Sequence, residues 1–315
     1  MKLHQLRALV CIHETGSLQD ASQVLHLTQS ALSRSMKELE SQLGVTLLVR
    51  SNKGMSLTEH GQRMLGHARQ ALESVRRARQ EIEDMKGLTV SEVTLGVTPV
   101  TALLPPLQQT LLHFQQTYPN AALKVLEMRP AQLLQHLRDG LLDFALTSQI
   151  PSHAVGLDWQ PLCRIPGVVT VRKGHPLQYV RSLRLFQEAQ WISVDAITDA
   201  QSQFNQLFAS SALGRPRRVF ECTAMNLAIK MLLNSDSVMV ASQGALGPGL
   251  VGLGDMVRHL HPVELEESVP DYSVNIVCVN RSYLTRAAGL LFNQLQSGFA
   301  EEHSTSNAPW AIQTE

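Results

Sequence analysis

Five side chains in one short run could do recognition chemistry. Gln29, Ser30, Ser33, Arg34 and Lys37 are each able to hydrogen-bond a base edge or a phosphate, and none is a good core residue. They alternate with Leu32, Met36, Leu39 and Leu43, whose 4-3-4 spacing buries one stripe of a helix and turns the polar five to the opposite face. Thr28 is placed to cap the start of that helix, and Gly44 to end it. Just upstream, Ala21, Val24 and Leu25 give a shorter helix a small apolar face, with Leu27 and Thr28 as the turn. Two helices so joined put the N-terminal end of the second into a major groove. An ordinary helical hairpin with a polar outer face would show the same spacing.

The next segment favours the DNA reading. Thr46 to Val49 is β-branched and apolar, Ser51-Asn52-Lys53-Gly54 is a turn, and Met55-Ser56-Leu57 returns. The hairpin carries Arg50 and Lys53 near its tip, where cations reach phosphates or a narrow minor groove. Charge agrees in sign: residues 1–86 hold 12 Lys and Arg against 9 Asp and Glu, and the remainder 15 against 18. The chain as a whole is neutral, so tight binding needs more than one such head.

This stretch resembles the opening of the LysR-type transcriptional regulators. The residues that carry the likeness are Gly16-Ser17-Leu18, Ala21, Leu25, Thr28-Gln29, Ala31-Leu32-Ser33, Leu39-Glu40, Leu43-Gly44, Leu47-Leu48, Arg50, Leu57-Thr58 and Gly61. Ser30 stands where proline is usual, Leu48 where phenylalanine is usual and His60 where alanine is common. Farther on, the runs Leu137 to Leu146 and Val171 to Leu177 resemble the family's effector domain. The resemblance implies a winged helix-turn-helix over 1–57 and a dimerising linker helix over 58–87. It implies a two-subdomain α/β effector domain shaped like a periplasmic binding protein. Subdomain I would hold 88–162 and 267–300, subdomain II 163–266, with 301–315 a polar tail. It further implies homodimers joined into tetramers, and contact with RNA polymerase.

The residues support each part. Over Thr58 to Lys86, Leu65, Ala68, Leu72, Val75 and Ile82 form a heptad seam interrupted at Arg79, fit to pair with a second copy or to fold back on its own domain. From residue 91 strands and helices alternate, which predicts a parallel, doubly wound sheet. In such sheets ligands bind beyond the carboxyl ends of strands. That rule selects the hydroxyl-rich loops holding Thr98, Val100, Thr101, Ser148, Ser193 and Thr223. Free N–H groups at helix starts favour an anion, so a small organic acid is the expected effector, with Arg129 and Arg164 as further partners. Simple helix capping would also explain each hydroxyl.

Other chemistries find little support. No catalytic set, metal site or cofactor motif stands out. His259 and His261 on a strand would make two ligands without a third. Four scattered cysteines fit a reduced compartment, although Cys163 and Cys222 could form a redox pair in a sensor of the same fold. A two-lobed solute-binding protein would need an export signal, which the first residues do not resemble. No run of eighteen apolar residues is present, so a cytoplasmic protein is expected.

Overall fold

A computed structural model of the protein describes residues 1–51, 54–85, 92–149, 156–211, 213–246 and 258–304. The chain divides into two compact units, Met1–Ser91 with Gln135–Leu142, and Glu92–Leu134 with the residues from Asp143 onward.

The first unit opens with α1 (Leu3–Thr15), α2 (Leu18–Val24) and α3 (Gln29–Leu43). A hairpin of β1 (Leu48–Ser51) and β2 (Gly54–Leu57) comes next, then α4 (Glu59–Met85). Leu6, Leu9, Ile12, Ala21, Leu32, Met36, Leu39, Leu47 and Ala68 close one core. The apolar stripes read from the sequence meet there, except that Val24 on α2 is 61% exposed and Leu43 at the end of α3 is 40% exposed. The seam of α4 serves two ends. Leu65 and Ala68 are buried and Leu72 packs on the same core, whereas Ile82 is exposed.

The second unit holds two five-stranded sheets. The first runs β4 (Ala122–Glu127), β3 (Glu92–Val97), β5 (Phe144–Thr147), β12 (Tyr272–Cys278), β6 (Asp158–Ile165). The second runs β11 (Leu260–Val263), β7 (Gly167–Arg172), β10 (Ser237–Ser242), β8 (Gln190–Ser193), β9 (Val219–Glu221). The expectation of parallel sheets needs correcting. β3 is parallel to β4 and β5, and β8 to β9 and β10, but β12 runs antiparallel to β5 and β6, and β7 antiparallel to β10 and β11. The antiparallel strands are those beside the two crossings between sheets. There the chain enters or returns against the direction set by the β-α-β units.

Helices supply the remaining layers: α5 (Pro99–Ala102), α6 (Pro105–Thr117) and α7 (Pro130–Arg138), then α8 (Gln203–Ser210), α9 (Met225–Leu233) and the last helix, α10 (Arg286–Ser304). Phe292 of α10 meets Phe144 of β5 edge to face at 5.4 Å, within a core that includes Val93, Leu95, Phe114 and Leu291. Trp191 anchors the other sheet among Phe186, Phe204 and Phe208, and its indole N–H donates to the Phe186 carbonyl at 2.9 Å.

β6 and β7 are separated only by Pro166, where the chain passes from the first sheet to the second. It returns between β11 and β12, and the two crossings touch. A Cβ on Gly167 would lie 2.1 Å from the Pro270 carbonyl oxygen, a separation that no side chain tolerates. β11 begins at Leu260, and 247–257 lie outside the described residues.

Candidate functional site

Helix α3 is built to present its polar face. Thr28 lies in extended conformation and its Oγ1 accepts the Ala31 N–H at 3.2 Å. Gly44 closes the other end in the left-handed region, φ 70°, with its N–H on the Glu40 carbonyl. The Glu40 side chain then accepts the N–H groups of Leu47 and Leu48 at 2.8 and 3.1 Å, which fixes where the hairpin starts. With Leu32, Met36 and Leu39 buried, Gln29, Ser30, Arg34 and Lys37 are exposed and Ser33 is half-buried. The Ser30 hydroxyl lies 3.2 Å from that of Thr28, so it adds to the cap.

The hairpin is fixed to the helices by backbone. Met55 N–H donates to the Gly16 carbonyl at 2.8 Å, and a Cβ on Gly54, whose φ is 119°, would lie 2.5 Å from that same oxygen. Arg50, opposite Met55 in the ladder, is exposed. Lys53 lies outside the described residues. The arrangement offers a helix N-terminus, two cations and several uncharged donors on one surface, with an exposed arginine on the hairpin. That inventory suits a polyanion with readable edges.

The hydroxyls expected to hold a ligand are arranged differently. Thr98 and Thr101 are fully buried. The Thr98 N–H donates to Thr101 Oγ1 at 2.9 Å, and Thr101 Oγ1 lies 3.1 Å from the Leu146 carbonyl oxygen as its donor. Thr98 Oγ1 sits 3.2 Å from both Thr101 Oγ1 and Ser148 Oγ. These groups bond to one another and tie the end of β3 to the end of β5. Ser193 is likewise buried, donating to the Asp195 carbonyl at 2.9 Å. Thr223 is exposed and does not cap α9, whose cap position is Ala224.

Between the sheets lie two spaces. Val100 lines an apolar one with Leu103, Val194, Met225, Ile229 and Tyr272; it is closed to about 30 Å³, room for one water. Ser148 lines a polar recess of about 180 Å³ with Gln149, Gln201, Gln203, Gln206, Asp271 and Ser273. Beside it Gln149 donates to Asp195 at 3.4 Å. Burial, with the like charge of Asp199, pushes the Asp195 carboxyl up to about 6 against the opposing pull of Arg129 and Gln149. Burial, with Asp195 nearby, also pushes the Tyr272 hydroxyl up. Arg129 is itself 3.6 Å from Glu221, and Arg164 is exposed on β6 opposite Ser273. Asp195, Gln203 and Asp271 were not singled out by spacing. The only sequence signal was that Asp195 falls inside the hydroxyl-rich loop after β8.

The histidine pair does not form a site. His259 sits in a turn, His261 on β11 stacks edge to face on Tyr179 at 5.5 Å, and no group of three metal-ligating side chains occurs among the described residues. No disulfide joins the four cysteines; Cys163 lies on the first sheet and Cys222 next to the second.

Residues 3–62 match the bacterial regulatory helix-turn-helix protein, lysR family, and residues 86–300 match the LysR substrate binding domain. The chain belongs to the LysR family. It is thus a DNA-binding transcriptional regulator with an effector-binding domain, in a family of regulators rather than enzymes. It is 29% identical over 247 residues to the HTH-type transcriptional regulator GbpR of Azospirillum brasilense, across 76% of this chain and 71% of that one. Across four such regulators the aligned stretch spans 55–71% of their length. Full-length LysG of Corynebacterium glutamicum, solved with bound effector Arg, superposes with a TM-score of 0.66 at 17% identity, covering 96% of this chain and 99% of that one. Full-length CbnR in complex with its target DNA gives 0.62 at 16% identity, covering 96% and 99%. At such identities these structures establish the fold of this LysR-family chain. No described helix is long and apolar enough to cross a membrane.

Proposed function

We propose that this regulator reads a partly palindromic duplex site with two copies of its first unit and answers to a small polar effector held between the two sheets of its second. The observation that carries the first half is the outward face of α3, where Gln29, Ser30, Arg34 and Lys37 stand free above a buried Leu32-Met36-Leu39 stripe. Arg50 and Lys53 of the hairpin add phosphate contacts. The exposed end of the α4 seam pairs with a second copy, which sets the two reading helices one DNA turn or a multiple apart. Effector domains join such dimers into a tetramer, which contacts RNA polymerase from the DNA in the cytoplasm. The effector acts by binding one relative angle of the two sheets better than another, which shifts the spacing of heads and the bend of the DNA.

The Thr98, Thr101 and Ser193 hydroxyls have partners within the fold, so an organic acid held by them would have to exchange those hydrogen bonds for its own. Val100 and Ser148 remain as walls of the two spaces.

Footprinting on the regulator's own upstream DNA at moderate salt tests the reading. Two protected half-sites about one helical turn apart are expected, absent with an Arg34→Ala/Lys37→Ala variant that remains folded. A monomer with equal affinity for random duplex would contradict it.

A further inference from the structure

The chemical class of the effector can be read from the recess between the sheets, granted the proposal above that this is where it binds. Both sheets contribute: Ser148 and Gln149 come directly after β5, Asp271 and Ser273 flank the start of β12, and Gln201, Gln203 and Gln206 come from α8 and the turn before it. Among the described residues, no lysine, arginine or histidine is in the lining. Arg129 faces Glu221, and Arg164 on β6 stands opposite Ser273 of the lining.

One buried group asks for a donor. Gln203 is 3% exposed, and its Nε2 donates to the Asp271 carbonyl at 2.7 Å. Its Oε1 is buried without a partner among the described residues. Turning the amide over would not help, since oxygen would then face oxygen. A buried acceptor left in this state is costly, and a bound donor removes the cost. Asp195, just outside the lining, accepts from the wall residue Gln149 at 3.4 Å, and Asp271 is itself a wall residue.

We propose that the recess receives the ammonium group of a small organic amine, with Gln203 Oε1 and the carboxylates of Asp195 and Asp271 as its acceptors. An ammonium supplies three donors and one positive charge, which matches what the lining lacks. Volume agrees, because about 180 Å³ admits a fragment of several heavy atoms. The raised carboxyl of Asp195 has the same meaning: an acid short of positive partners, facing Asp199, Arg129 and Tyr272, is ready for an added cation.

Calorimetry on the full-length protein with four probes of similar size tests this: n-propylamine, ethanolamine, propionate and propane-1,3-diol. The two amines are expected to bind at least tenfold tighter than propionate or the diol. Their affinity should rise from pH 5 to pH 7 as Asp195 ionises, and fall at least tenfold in Asp195→Asn. Asp271→Asn, at an exposed position, gives a second variant with a smaller loss should Asp195→Asn fail to fold. Tighter binding of propionate or the diol, abolished by the same substitutions, would overturn the amine while keeping an effector between the sheets. No binding of any probe, or amine binding indifferent to both substitutions, would overturn the amine assignment. Only an effector located outside the recess by other means would also remove the reading on which it rests.

Discussion

Ser30 on α3 and Thr98 after β3 are both hydroxyl residues at the start of a helix, yet they stand in opposite conditions. Ser30 is exposed, with only the neighbouring Thr28 hydroxyl in reach. Thr98 is buried and bonded to Thr101 and Ser148, which hold two strands together. The same contrast separates the two regions around them. The face of α3 is a free surface whose groups stay available to a partner. The second unit's cleft is lined partly by groups already satisfied, and only a few, such as Gln203 Oε1, remain open. A polar residue in a promising loop is therefore not yet a binding residue; what matters is which of its hydrogen bonds are still unmade.

Substitutions can break or sharpen this contrast. The largest effect is expected where the free face depends on its buried one. Leu39→Ala should cost the first unit about 2–5 kcal/mol, read as a lower denaturation midpoint, and carry DNA binding down with it. Removing the acid in the cleft should work the other way. The folded Asp195 carboxyl titrates near 6, above its unfolded value of 3.8. The protonated form is therefore favoured in the fold, and that stability is full below about 4 and disappears as pH rises through 6. Asp195→Asn should then gain up to about 3 kcal/mol over the parent at pH 7.5 and little at pH 4. Thermal melts at both pH values would decide; a gain at pH 4 as large as at 7.5 contradicts it.

Arg34→Ala should leave the melting temperature unchanged and weaken DNA binding by about 1–3 kcal/mol, with the salt dependence showing whether the guanidinium meets a base or a phosphate. Thr101→Ala is the converse case. It should destabilise the second unit by about 1 kcal/mol with no ligand present, by removing the buried hydroxyl that accepts from Thr98 N–H and donates to the Leu146 carbonyl, although Thr98 N–H keeps that carbonyl and the Thr98 hydroxyl keeps Ser148. Equal melts for Thr101→Ala and the parent would put Thr101 among the free groups instead. The smallest effect falls to Ser30→Ala, within about 0.5 kcal/mol in stability, so any change in DNA affinity there reports a direct interaction of that hydroxyl with the duplex.

How much could be read in advance differs between the same two regions. The face of α3 was legible because it depends on one helix: its period, its cap at Thr28 and its stop at Gly44 are all local. The seam of α4 was legible as a stripe but not in how it is shared, since the burial of Leu65 and Ala68 is set by α1, far away in sequence. The antiparallel strands were not legible, because β-α-β alternation says nothing of a chain that leaves a sheet and returns to it. Nor were Gln203 and Asp271, whose meeting across 68 residues is a consequence of that return. Thr223 misled for a simpler reason: the helix begins one residue later than a cap at the threonine would place it.

Gly167 gives the second unit its mechanics. With no side chain there, the outgoing and returning segments touch backbone to backbone. Elsewhere the two lobes meet through side chains, Gln149 on Asp195 and Gln203 on the Asp271 carbonyl, which yield more easily than backbone. A methyl group added at this one position would be a wedge between the two crossings, and would test the proposed dependence on tilt directly.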